Sequence, residues 1–145
     1  MDSEEQIRLA LAAGLEETLP MNYALQGEII GEGIQGNPLQ RKGQELYIFN
    51  AYDIQAGKYL AFAEFMALCA RLGVKTVPIV HAEWKLLDSV ADLVEMADGQ
   101  SLLNLNADRE GLVFRPLVED YDEIGGSMRR LSFKAISNRY LLAEK

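Results

Sequence analysis

Apolar residues recur at helical spacing near the start of the chain. Ile7, Ala10, Leu11 and Leu15 fall on one face and predict a helix over residues 3–18. Ser3 and Gln6 make a capping-box pair at its start, Glu4 and Glu5 suit the positive end of the helix dipole, and Pro20 closes it. Gly14 lies inside the pattern and weakens it. Alternation of apolar and polar residues then predicts strands over residues 23–30 and 45–54, the second (ELYIFNAYDI) rich in aromatic and β-branched residues. Phe62, Phe65, Met66, Cys69 and Leu72 return to a helical period, predicting a helix over residues 61–72 with Gly73 just beyond its end. Residues 76–84 read as a strand with Pro78 at its start or on an edge. Residues 88–97 read as a third helix, capped by Asp88 or Ser89 and stopped at Gly99. EGLVFRPL (110–117) and LSFKAI (131–136) complete the strands, joined by an acidic, glycine-containing loop over residues 118–130.

The order is helix, two strands, helix, strand, helix, two strands. It lacks the regular βαβ alternation of a parallel sheet and is not all-β. The expected class is α+β, a mainly antiparallel sheet with flanking helices. No repeat, low-complexity tract or linker interrupts the 145 residues, so a single domain is expected.

Composition narrows the function. An apolar fraction of 49% with 25% charged residues is that of a globular chain, and no apolar run reaches the length of a membrane span. The opening MDSEEQIR is acidic, where a signal or transit peptide is basic. One cysteine, Cys69, and one histidine, His81, exclude a disulfide framework and a zinc site of the usual ligand number, so a reduced, cytoplasmic setting is expected. Cys69 falls in a helix stripe and reads as a core thiol. His81 reads as a surface or hydrogen-bonded residue rather than a general base. A net charge of −8 disfavours stand-alone binding of nucleic acid through its phosphates, although Arg129, Arg130, Lys134 and Arg139 make a local basic strip.

The segment QGEIIGEGIQGN (26–37) carries Gly31, Gly33 and Gly36 in G-x-G-x-x-G register after the first strand. A dinucleotide fingerprint requires those glycines to open a helix. Here Asn37-Pro38 and then LQRKG follow, which are turn signals, so that reading fails. Three strands instead carry an ionisable residue in an apolar setting: Glu28 in QGEII, Glu110 in EGLVF and Lys134 in SFKAI. Two carboxylates and a lysine on neighbouring strands suit a sugar hydroxyl, a divalent ion and a phosphate. Phe49 offers a ring for a base, although an aromatic residue on a strand is more often core.

In this order and spacing, QGEIIGEGIQGN, YIFNAYDI, EGLVFR and SFKAISNRYLL resemble the motif series of ATP-dependent RNA ligases, closest to the RNA-repair ligases of the RNA ligase 2 type. These belong to the covalent nucleotidyltransferase superfamily and its ATP-grasp-like ligase domain. The resemblance runs from about Tyr23 to Leu142. It implies that Glu28 contacts the ribose of ATP, that Phe49 stacks on adenine, that Glu110 serves the metal, Mg²⁺ or Mn²⁺, and that Lys134 contacts the α-phosphate. Glu110 and Lys134 are thereby the catalytic pair, and Glu28, Phe49 and Lys134 hold the AMP moiety. It also implies RNA 5′-phosphate and 3′-hydroxyl ends as partners, with no membrane.

Two departures stand out. The K-x-K form of the last motif has Ile136 at its second position, with Arg139 or a basic residue near Arg129 as a candidate substitute. The nucleophilic lysine of these enzymes, in K-x-[DHN]-G, matches none of Lys42, Lys58, Lys75, Lys85, Lys134 or Lys145. The expectation is therefore the C-terminal part of an adenylyltransferase domain, unable to adenylylate itself. A non-catalytic nucleotide- or RNA-binding remnant, half of a split ligase whose N-terminal part is a separate chain, and an acidic α+β domain with a coincidental pattern are the alternatives.

Overall fold

The computed structural model describes residues 3–144. These fall into two compact units, Met1–Ile79 and Val80–Lys145, both α+β with antiparallel pairing dominant.

In the first unit the expected N-terminal helix is two helices, α1 (Ser3–Ala12) and α2 (Leu15–Thr18), because Gly14 adopts φ 70° between them. The expected core stripe is accordingly shorter. Ile7 and Leu11 are exposed, and Leu15 alone of that set is buried. β1 (Tyr23–Gly31) and β2 (Gln44–Asp53) pair antiparallel, close to the predicted bounds. β3 (Lys58–Tyr59) adds to one end of β2. α3 (Phe62–Leu72) follows, ending at Gly73 with φ 69°, where Val74 N–H bonds the Cys69 carbonyl at 3.1 Å. Phe65, Leu68, Cys69 and Leu72 recur at helical spacing and pack with Leu15, Ile48, Ala51 and Leu60 as the core. Cys69 is thus the core thiol the sequence predicts, and burial raises its pKa.

The strand expected over residues 76–84 is reduced to β4 (Lys75–Thr76), parallel to β2. Val77 N–H makes one last bond to the Ile48 carbonyl at 3.0 Å. Pro78 has no N–H to continue the ladder, and residues 77–88 are irregular.

The second unit starts from α4 (Val90–Ala97), capped by Ser89, whose hydroxyl accepts from Asp92 N–H. Asp88 is not the cap. β5 (Gln100–Ser101) and β6 (Asn104–Asp108) form a short hairpin that the residue pattern did not predict. β7 (Gly111–Phe114) is shorter than the expected strand over 110–117, and it pairs with β10 (Phe133–Ile136). The expected loop over 118–130 contains a hairpin, β8 (Tyr121–Ile124) and β9 (Ser127–Arg130). Gly125 and Gly126, at φ 61° and 78°, make its two-residue turn, which needs positive φ at both positions. α5 (Asn138–Ala143) closes the unit, capped by the Ser137 hydroxyl. Among the described residues no helix is long and apolar enough to cross a membrane.

Candidate functional site

Glu28 and Phe49 lie on one strand pair. The register runs Gln26↔Asn50 and then Gly27↔Ile48, so Phe49 is the extra residue of a β-bulge on β2. A bulge bends its strand and re-aims the local side chains, and it is a recurrent device beside binding sites. Directly paired residues share a face, which places Glu28 beside Tyr47 and Gln26 beside Asn50. The Asn50 amide donates to the Gln26 side chain at 2.8 Å. Leu25, Ala51 and Ile48 take the other face, towards the core. Glu28 is exposed and Phe49 half-buried. The polar face also carries Glu45, which accepts from Arg41 at 2.6 Å and from Lys75 at 2.8 Å. Those two cations hold its carboxyl down to about 2. The Lys75 ammonium lies 5.7 Å from the centre of the Tyr47 ring.

The glycine-rich segment after β1 opens no helix. It is a run of turns in which Ile34 N–H bonds the Gly31 carbonyl, Asn37 N–H the Ile34 carbonyl and Gln40 N–H the Asn37 carbonyl, at 2.8–3.1 Å. Gln35, Asn37 and Gln40 all have positive φ, which is uncommon for residues other than glycine. The Asn37 side chain holds the turn by bonding both N–H and C=O of Arg41. Between this loop and β1 is a recess of about 110 Å³, lined by Glu28, Ile30, Ile34, Asn37 and Leu39 among others. That volume is well below the several hundred Å³ of a whole-ligand pocket.

Glu110 and Lys134 meet directly. Glu110 immediately precedes β7, and its carbonyl accepts from Ser137 N–H at 2.8 Å beyond the end of β10. Lys134 pairs with Val113 across the ladder, and its ammonium donates to the Glu110 carboxylate. Both side chains remain about half exposed, at 42% and 54%, so the pair is open to a ligand. Ile136 lies two residues beyond Lys134 on the same strand face and is exposed.

Residue-pattern reasoning missed the groups that hold this pair in place. The Arg109 guanidinium donates to the carbonyls of Met96, Ala97 and Asp98 at 2.6–3.0 Å, closing the C-terminal end of α4. The Ser137 hydroxyl, fully buried, donates to the Asp98 carboxylate at 2.6 Å. Asp98 also accepts from Arg139 N–H, and these bonds, Ser137 first, lower its pKa. The only advance signals were a serine before NRYLL and an arginine next to a motif acid. The basic strip is mostly engaged: Arg130 pairs with Glu119, Lys134 with Glu110, and Arg139 with Asp108 at 3.0 Å. His81 is exposed and stacks on Trp84. Among the described residues, no three or more His, Cys, Asp or Glu side chains converge as a metal cage. Magnesium and manganese need no such cage when phosphate oxygens and water complete the shell, so one carboxylate such as Glu110 fits that donor set.

The RNA ligase family model matches residues 2–136. The Naegleria gruberi RNA ligase with PPi is 42% identical with a TM-score of 0.81, over 95% of this chain and 40% of that one. A lysine-to-alanine variant of that ligase with ATP and Mn is 40% identical, with TM-score 0.82 over 99% of this chain and 41% of that one. A lysine-to-methionine variant with AMP and Mn is 39% identical, with TM-score 0.79 and the same coverage, 99% and 41%. The chain thus spans about two fifths of the length of the solved structures it matches. No curated protein matches it.

Proposed function

Because the chain belongs to the RNA ligase family, we propose that it supplies the nucleotide-handling part of an ATP-dependent RNA ligase. The reaction seals RNA ends through lysine-AMP and RNA-adenylate intermediates. The observation that carries this reading is the Glu110–Lys134 pair, one residue just before β7 and the other on its partner β10. A carboxylate for a metal and an ammonium for a phosphate must sit within a few Å of each other if both act on one metal-bound nucleotide, and here they touch. Phosphoryl transfer asks a protein mainly for such positioning and charge neutralisation.

In this reading Glu28 bonds the ribose and Phe49 stacks on adenine. Lys134 leaves its carboxylate partner to meet the α-phosphate, and Glu110 then holds Mg²⁺ or Mn²⁺ directly or through water. The metal supplies neutralisation of the developing phosphate charge. Ile136 leaves the second position of that motif without a cation. RNA ends bearing 5′-phosphate and 3′-hydroxyl are the substrates, and RNA repair in the cytoplasm is the setting.

A second reading is favoured by one observation, that no lysine of the chain has the K-x-[DHN]-G context. On it the chain binds nucleotide or RNA and depends on a nucleophile carried elsewhere, in another segment or another chain. Titration with ATP and Mn²⁺ tests the shared core of both readings. Binding is expected, and is expected to fall by at least about tenfold on Glu28→Ala or Phe49→Ala, the loss of one hydrogen bond to a charged group or one stacked base. Absence of nucleotide binding at millimolar concentration overturns the first reading and the nucleotide-binding form of the second.

A further inference from the structure

Four rings of the second unit form a row that the roles above leave unused. Phe114 and Phe133 are cross-strand partners on β7 and β10 and stack with centroids 5.0 Å apart at 17°. Trp84 leans on Phe114 at 5.7 Å, and His81 stacks on Trp84 at 6.1 Å and 13°. One end of the row is rooted in the ribbon. The other is carried by the irregular segment over residues 80–88, where His81 is exposed and Trp84 keeps 39% of its surface in water. Side chains alternate along a strand, so the Phe114–Phe133 pair lies on the opposite face of the ribbon from Val113 and Lys134. The row is therefore separate from the phosphate-handling pair.

The charge of the chain bears on what such a row contacts. At −8 it repels a phosphate backbone, and three of the four cations of its basic strip, Arg130, Lys134 and Arg139, already hold carboxylates. Near the exposed rings, Lys85 and Glu83 flank Trp84 with opposite signs and cancel. A member of an RNA ligase family with this surface has little ionic means of holding a strand. Base stacking is a means open to this surface, since every base presents a π-face and the contact needs no net charge.

We propose that the exposed His81–Trp84 end of the row is a stacking platform for an unpaired base of the RNA strand. The inference rests on the ligase reading above, and its ligand is a nucleobase of any sequence in single-stranded RNA. The base extends the row as one further ring, at the spacing the four rings already keep.

Trp84 is the only tryptophan in the chain, so its emission reports on the platform directly. A short unstructured RNA oligonucleotide is titrated at low and at moderate salt. Tryptophan emission and the anisotropy of an end-labelled copy are followed together, with inorganic polyphosphate as the charge control. The expected result is saturable quenching by RNA, a shallow salt dependence and no quenching by polyphosphate. Trp84→Leu is expected to weaken RNA binding on the order of tenfold while ATP binding holds. His81→Ala, which changes an exposed side chain and keeps the fluorophore, should weaken both binding and quenching. RNA binding by anisotropy with unmoved emission overturns the platform and leaves the ligase reading standing, as does equal quenching by polyphosphate. A platform that instead receives an apolar protein surface gives that same unmoved emission. ATP binding without RNA binding overturns the platform alone, and loss of both overturns the two together.

Discussion

Glu45 illustrates how one side chain sets the behaviour of a face. Arg41 and then Lys75 hold its carboxyl at about 2, against 4.5 for an unperturbed glutamate. A carboxyl whose folded pKa is depressed adds stability above its unfolded pKa and loses it as pH falls towards the folded value. The first unit should therefore weaken between about pH 4.5 and pH 2, and Glu45→Gln should flatten that acid limb while lowering stability at neutral pH. Thermal melting against pH for the two proteins checks this. Gly111 makes a different demand. A Cβ there would lie 2.1 Å from the Ala135 carbonyl oxygen, so Gly111→Ala must part β7 from β10. The expected cost is about 1–3 kcal/mol, as for overpacking elsewhere, read from denaturant unfolding. The substitution should also separate Lys134 from Glu110, so any nucleotide affinity falls with it. Legibility at this scale was uneven. Glu28, Phe49, Glu110 and Lys134 stood out as charges or a ring inside apolar strings. The bulge at Phe49 did not, because a register shift depends on two strands that are distant in sequence.

Elements with a strong period were legible from residues alone. α3 declared itself through Phe65, Cys69 and Leu72 at helical spacing, and β1 and β2 through alternation. The β8–β9 hairpin did not, because every cross-strand pair joins a charged or polar residue to its partner: Tyr121 faces Arg130, Asp122 faces Arg129, Glu123 faces Met128 and Ile124 faces Ser127. Its two aliphatic residues, Ile124 and Met128, are exposed and make no alternating apolar pattern, and its acidic start resembles a loop. The strand expected over 76–84 failed for the converse reason. Its apolar residues suited a strand, but one proline removed the donor that would have extended β4 along β2. At the end of α4, Arg109 gives three bonds to carbonyls that the helix itself leaves unpaired. Arg109→Ala should destabilise the second unit by about 2 kcal/mol, the scale of a hydrogen bond to a charged group. Arg109→Lys should recover little, since an ammonium cannot span three carbonyls with a planar fork. Chemical denaturation followed by circular dichroism distinguishes the two variants.

For the molecule as a whole, the informative quantity is what the chain does unaided. It has six lysines, none in the nucleophile context. Incubated with α-labelled ATP and Mn²⁺, it should acquire no covalent, alkali-stable label on a denaturing gel, and a labelled band would show that a lysine outside that context is competent. Adding the nucleophile-bearing part of a ligase as a separate polypeptide should restore labelling on that polypeptide if the second reading holds. The pairing of α+β units with antiparallel ribbons followed from element order. The division into Met1–Ile79 and Val80–Lys145 did not, since no change of composition marks residue 80.

Arg109 and Glu110 are consecutive, and the first is bolted to a helix while the second is the carboxylate that the proposed function gives to a metal. The position of that carboxylate is thus set by whether α4 is closed at its end. Helix fraying and displacement of Glu110 become one opening event with one free energy. Amide exchange measured across the second unit should then rise in concert along α4 and β7 when Arg109 is replaced. A metal-loaded nucleotide, by gripping Glu110, should slow exchange at the far helix it never touches.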